Sequence, residues 1–370
     1  MRRLCLAGTL VIAILCYQLS VLSSYREQTR RVIVPQHNHA VSRTRRVIFF
    51  VHVGDQQLSP IYCCAVLSAA RHNPDAVIIV YLENKTASWP DQRRCYASQQ
   101  NVKTFEYSLR RLFSGTLLSG WYKKILTGGF GPGNTMQNIA NAARLALIYK
   151  KGGMYLDMDI ITLASYAGMP VNIVGAQGWG YKYTQKAWGG FSVLETILGI
   201  RCWHDVDNTC CLNNAAMSFE PQHPFLHAYI REFVANFRNN KWGWNGPDRI
   251  SDTCRKYKCD MISTFWGEKM SDVCAGVQAV HDETFTPIHY SKAKAELGKN
   301  VTSDEWKDTM AQWNTVPRGH SPRTVYAVHI FNAARHMMEQ HSTHPQSTDT
   351  HKMRLEHLLT QECGAQWREL

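Results

Sequence analysis

The chain has 370 residues, a formal net charge of +12, 45% hydrophobic residues and 11% aromatic residues. That composition is too apolar for a disordered tail and too heterogeneous for a collagen, a coiled coil or a repeat array. One or two globular domains fit the length, and the charge leaves three partner classes open: a nucleic acid, an anionic small molecule or an acidic membrane face.

Residues 4–22 (LCLAGTLVIAILCYQLSVL) hold no charge and would form a helix of about 28 Å, close to the thickness of a hydrocarbon core. With Arg2 and Arg3 ahead of it, the run reads as a transmembrane signal-anchor behind a cytoplasmic tail of residues 1–3. Residues 23–45 are polar and basic without periodicity and read as a stem. A cleaved signal peptide is the alternative. Either way residues 46–370, read as one domain, enter the secretory lumen, where a nucleic-acid partner no longer fits. Of the twelve cysteines, Cys5 and Cys16 fall in the apolar run. The other ten follow no zinc spacing and read as disulfides, whose connectivity spacing does not fix. Asn84 to Thr86 and Asn300 to Thr302 are N-glycosylation sequons suited to that compartment.

From Arg46 the chain alternates strands and helices. Val47–Val53 (VIFFVHV) is an apolar run of strand length, ended by Gly54 and Asp55. Ile61–His72 reads as a helix, Asn73 to Asp75 as a turn and Ala76–Leu82 as a second buried strand. This β-α-β start predicts an α/β domain with a largely parallel sheet, and such sheets bind ligands beyond the carboxyl ends of their strands, where Asp55 lies. Asn138–Lys151 reads as a helix with Lys150 and Lys151 in its last turn, ended by Gly152 and Gly153. A strand follows at once, from Met154 through Asp157, Met158 and Asp159 to Leu163. Further on, Phe225, Tyr229, Phe233 and Phe237 recur every fourth residue, which makes Pro224–Arg238 a core-facing helix. Val325–Phe331 reads as a late strand and Lys352–Leu359 as a terminal helix.

Two carboxylates two residues apart on an extended chain project to one side. Beside a hydrophobic strand they are costly unless a cation or a hydrogen-bond network compensates, and a hard divalent ion would do so. The same Asp-x-Asp pattern recurs at Asp205 and Asp207, but in a polar loop. The frame of helix, Gly-Gly and strand singles out Asp157 and Asp159.

The run Arg144 to Asp159 (RLALIYKKGGMYLDMD) resembles the donor-sugar region of the α1,4-glycosyltransferases. Other landmarks follow in the same order: IFFVHVGD from Ile48, SAARHNPD from Ser68, LNNAAMSFE from Leu212, NGPDRI from Asn245, FTPIHY from Phe285 and YAVHIFN from Tyr326. The resemblance implies a type II Golgi membrane enzyme with a GT-A-like fold, a mixed and mostly parallel sheet flanked by helices. It implies retaining transfer of galactose, N-acetylgalactosamine or N-acetylglucosamine from a UDP-sugar, with Mn²⁺, in α1,4 linkage. The acceptor would be a lactosylceramide-like glycolipid or a glycoprotein glycan. Asp55, Asn141, Arg144, Gly153, Asp157 and Asp159 would bind the donor. Asp157 and Asp159 would hold the metal, with His329 from the late strand as a third ligand whose imidazole suits Mn²⁺. The same resemblance implies pairing of Cys64 with Cys95 and of Cys259 with Cys274, and it leaves a homodimer or a Golgi enzyme complex open.

Some residues depart from the pattern. Asn141 stands where the family usually carries Asp, three residues before Arg144 and on the same helix face; it keeps an acceptor oxygen and loses the charge. Asn214 and Ala216 replace the glycine and aromatic usual after the asparagine matched by Asn213. Asn141 motivates an alternative: a non-catalytic lumenal protein of the same fold that binds glycans or stabilises a partner. Trp179, Tyr181, Tyr183, Trp188 and Trp203, in the segment from Gly175 to Cys211, are of a type that stacks on acceptor sugars, though such rings are more often structural. No nucleophile is assignable.

Overall fold

The computed structural model describes residues 46–54, 58–83, 94–176, 212–257, 259, 272–274, 276–280, 284–315, 325–331, 352–365 and 367–369. The expected tail, anchor and stem lie outside these residues, as do Asp55, Asn84, the aromatic residues of the segment before Cys211, and Cys202, Cys210 and Cys211. Among the described residues no helix is long and apolar enough to cross a membrane.

The chain opens as its apolar runs dictate. Strand β1 (Val47–His52) is followed by helix α1 (Pro60–His72), which starts where the Ser59 hydroxyl accepts from Tyr62 N with Pro60 in the first turn. Strand β2 (Val77–Glu83) returns parallel to β1, with Val47 opposite Val77. Strand β3 (Val102–Tyr107) extends the sheet in parallel. Helices α2 (Leu109–Phe113), α3 (Leu118–Leu126) and α4 (Thr135–Lys151) then carry the chain back to strand β4 (Gly153–Leu156), parallel to β1 on its other side. The strand order therefore reverses at β1, which opens a crevice beyond the carboxyl ends of β1 and β4.

After β4 come β5 (Ile160–Thr162), β6 (Ile173–Ala176), β7 (Leu212–Phe219) and α5 (Pro224–Ala235). Next are α6 (Arg249–Lys256), β8 (Gln278–Val280), α7 (Tyr290–Leu297), β9 (Asn300–Val301) and α8 (Ser303–Thr315). The chain closes with β10 (Ala327–His329), β11 (Lys352–Met353) and α9 (Arg354–Cys363). The main sheet has seven strands in the order β3-β2-β1-β4-β7-β6-β8, with β7 antiparallel to both of its neighbours. It is mixed and mostly parallel, as expected. The late strand, expected over Val325–Phe331, is shorter and pairs with β5 in a separate two-stranded ladder.

Alternation splits the buried residues between two faces. Ile48, Phe50, Val80, Met154 and Leu156 pack toward α1 and α9, while Phe49, Val51, Tyr155, Met217 and Phe219 pack toward α4 and α5. Phe225, Tyr229 and Phe233 are buried as their spacing predicts. Helix α5 ends at Ala235, short of the expected Arg238, because the chain turns there: Arg238 N donates to Asn245 Oδ1 at 3.1 Å. Phe237 packs on Trp121 and Phe130 from outside the helix.

Two pairings correct the cysteine reading. Cys95 is bonded to Cys63, not Cys64, and Cys64 is bonded to Cys363. Adjacent residues on a helix point about 100° apart at 3.6 residues per turn, so Cys63 faces the turn at Cys95 while Cys64 faces α9. The Cys259–Cys274 bond is as expected. The Cys64–Cys363 link spans 299 residues and ties the end of the chain to α1. Replacing both cysteines by alanine is expected to lower stability by about 2–5 kcal/mol, read by thermal melting without reductant. Of the two sequons, the described one starts at Asn300, exposed at the first position of β9.

His52, the last residue of β1, is buried, and that burial pulls its imidazole down to about 4. The unfolded chain titrates near 6.5, so between these values it binds a proton that the folded chain refuses. This contribution to stability is complete above pH 6.5 and is lost as pH falls toward 4. Equilibrium unfolding should therefore weaken by up to about 3 kcal/mol over that window, and His52→Gln should flatten the slope.

Candidate metal centre

The site grows out of the junction between α4 and β4. The α4 helix ends at Gly152, whose φ of 65° is left-handed and whose absent side chain leaves room for Pro221: a Cβ would lie 2.7 Å from Pro221 Cδ. Gly153, at φ 99°, opens β4 so close to β1 that a Cβ would stand 3.0 Å from Val47 O. It lies at the strand end remote from Asp157, where its task is this close approach.

Asp157 and Asp159 are not on an extended chain. They occupy a turn between β4 and β5, closed by Ile160 N donating to Asp157 O at 3.1 Å. The carboxylates converge because the turn is anchored on both flanks. Asp157 N donates to Ala215 O of β7 at 2.8 Å, and Asp159 O accepts from Ile330 N at 2.9 Å. The β5–β10 ladder sets His329 opposite Ile160, which brings its ring beside Asp159. His329 Nε2 lies 3.2 Å from Asp159 Oδ1, and the ring stacks on Phe331 with centroids 3.8 Å apart.

Arg144 is the counter-charge. Its Nη1 lies 2.8 Å from Asp157 Oδ1 and donates to Asn214 O at 3.0 Å, and its guanidinium sits over the Tyr155 ring. The Tyr155 hydroxyl donates to the same Asp157 oxygen. Both partners thus meet Oδ1. Asn141, Arg144, Asp159 and His329 are all buried. Tyr155 is the residue that sequence reasoning passed over, although strand alternation already puts it on the side of Asp157.

Burial raises the Asp157 carboxyl above its ordinary value, with Asp159 adding to the rise while Arg144 pulls the other way. Burial favours neutral His329, but the neighbouring Asp159 outweighs it and the imidazole is raised. Two carboxylates crowded together repel each other, and a divalent ion between them would offset that repulsion, which makes the cluster a good cation site. One ligand atom each from Asp157, Asp159 and His329 lies within 4.8 Å of the others. Two carboxylate oxygens and one imidazole nitrogen fit a divalent ion such as Mn²⁺.

Residues 218–365 match the alpha 1,4-glycosyltransferase conserved region, and residues 62–178 match the glycosyltransferase sugar-binding region containing the DXD motif. The second match encloses Asp157 and Asp159. Lactosylceramide 4-alpha-galactosyltransferase of Rattus norvegicus is 28% identical over 294 residues, covering 77% of this chain and 67% of that protein. Alpha-1,4-N-acetylglucosaminyltransferase of Homo sapiens is 25% identical over 335 residues, covering 88% of this chain and 81% of that one. Among solved structures, the PaToxG glycosyltransferase aligns over 57% of this chain and 69% of its own at 14% identity, with a TM-score of 0.42.

Proposed function

For a chain that is a glycosyltransferase of the alpha-1,4 family, we propose a retaining enzyme that transfers galactose, N-acetylgalactosamine or N-acetylglucosamine from a UDP-sugar to a glycan acceptor. The acceptor is a lactosylceramide-like glycolipid or a glycoprotein glycan, and the new linkage is α1,4. In this proposal residues 4–22 anchor a GT-A-like catalytic domain in the Golgi membrane, facing the lumen.

The convergence of Asp157, Asp159 and His329 beyond the strand-order reversal carries the reading. Asp159 and His329 would hold the ion directly, and Asp157 would reach it or the donor ribose. A bound divalent ion, Mn²⁺ by this donor set, supplies Lewis-acid stabilisation of the charge that builds on UDP as the glycosyl bond breaks. Arg144 and Tyr155 orient Asp157 by holding Oδ1. Asp55 and Asn141 complete the donor side of the proposal, without Gly153, which lies at the far end of β4. The net charge of +12 favours the approach of such an anionic donor.

The full chain in detergent, given Mn²⁺ and each UDP-sugar in turn, should release UDP faster with lactosylceramide or a β-galactosyl glycan than without acceptor. The linkage of the product is then read by NMR. No release or transfer from any donor by a folded protein would overturn the reading and favour the non-catalytic alternative.

A further inference from the structure

We propose that Asn214 is a positioning residue for the metal centre, acting with Asn141 to hold Arg144 against Asp157; the inference rests on the metal reading above. Helix α4 lays Asn138, Asn141 and Arg144 at three-residue intervals along one face, and all three are buried. Polar groups facing the interior destabilise a fold unless each finds a partner. Asn138 finds two, accepting from Asn245 Nδ2 at 2.9 Å and donating to Asn239 Oδ1 at 3.1 Å. The next pair along the face is the one that reaches the site.

Asn214, on β7, holds the helix twice. Its side-chain Nδ2 donates to Asn141 Oδ1 at 2.9 Å, and its backbone oxygen accepts from Arg144 Nη1 at 3.0 Å. Asn141 and Arg144 are one helical turn apart, so the two bonds form a bracket between β7 and α4. Gly246 closes over it: a Cβ there would lie 3.0 Å from Asn214 Oδ1 and 3.2 Å from Asn141 Oδ1. Asn214 directly precedes Ala215, whose oxygen accepts from Asp157 N, so one short stretch of β7 directs both Arg144 and the backbone of Asp157.

The neutrality of the pair is part of the device. Arg144 is left with Asp157 as its ion-pair partner, whereas a carboxylate at position 141 would stand one turn away and compete for the guanidinium. Truncating Asn214 leaves the Asn141 oxygen buried without its donor and loosens the carbonyl that steers Arg144. Partners that orient a metal ligand from outside the ligand set are worth about 10–100-fold in metal affinity.

The test reads Mn²⁺ binding by electron paramagnetic resonance of the free ion, using the full chain without sugar. Asn214→Ala and Asn141→Ala should each weaken Mn²⁺ binding about tenfold, and the double variant should be no worse than either alone, as for residues in contact. Asn214→Ser, which keeps a short polar side chain, replaces the alanine variant if that one does not fold. In an Arg144→Lys background the Asn214 change should have no further effect, because the group it positions is gone; a merely structural Asn214 would weaken both backgrounds equally. Folded Asn214→Ala that binds Mn²⁺ like the wild type, or an effect additive with Arg144→Lys, overturns the proposal. A wild-type chain that binds Mn²⁺ no better than Asp159→Asn instead sinks the metal reading, and this one with it. Because no sugar is present, failure of sugar transfer does not affect the readout.

Discussion

Asp159→Asn should lower kcat for sugar transfer by about 10³-fold or more while the melting temperature moves by only a few degrees. Asparagine keeps the volume of the side chain and one oxygen, so packing in the turn survives. The backbone bond from Ile330 N to Asp159 O does not involve the side chain and also survives. On the stability side two changes oppose each other. The ion pair with His329, at 3.2 Å, is lost, and so is the repulsion that Asp159 exerts on Asp157. On the catalytic side nothing compensates. Lewis-acid stabilisation of a leaving diphosphate is worth several kcal/mol, and ~4 kcal/mol corresponds to about three decades in rate. Melting curves with and without Mn²⁺ separate the two effects. A ligand at 100 times its Kd stabilises the wild type by about 2.7 kcal/mol, and the variant should gain almost nothing. Undiminished turnover by the variant would remove Asp159 from the metal centre.

How much of this was legible in the sequence depends on how local the determinant is. The β1, α1 and β2 elements were readable because each is a continuous apolar run or an amphipathic segment with its own punctuation, such as Ser59 and Pro60 ahead of α1. The Gly152–Gly153 junction was readable because its conformation is local. Asp157 and Asp159 stand out in the sequence, but their spacing alone reads as extended, and the structure shows a turn. The turn between them depends on Ala215 and Ile330, which grip it from distant strands, and no two-residue periodicity carries that information. The cysteine pairing failed for the same reason: Cys63 and Cys64 are neighbours in sequence, and only the docking of α9 shows which of them faces Cys363. The asparagine network joins residues about a hundred positions apart, Asn138 to Asn239 and Asn138 to Asn245. Each of these asparagines alone is an ordinary polar residue, and their common burial appears only in the folded chain.

Arg144→Met should destabilise the metal-free protein by about 3–5 kcal/mol, and adding Asp157→Asn should recover part of that loss. Methionine fills a similar volume and suits the apolar surroundings, so the effect is not a cavity. The effect is the charge left behind. Asp157 would retain the Tyr155 hydroxyl on Oδ1 and would still face Asp159, but the guanidinium at 2.8 Å that offsets both burial and repulsion would be absent. Removing one partner of a buried pair exposes the whole desolvation penalty of the other, whereas removing both charges removes the penalty as well. The four proteins of the cycle, unfolded in urea without metal, should therefore show strong coupling, with the double variant more stable than Arg144→Met alone. Additive losses would mean that the Arg144–Asp157 contact is incidental and that Arg144 acts chiefly through its packing on Tyr155. The same cycle repeated with Mn²⁺ should widen the deficit of Arg144→Met, because a chain without the group that orients Asp157 binds the cation less tightly and gains less stability from it.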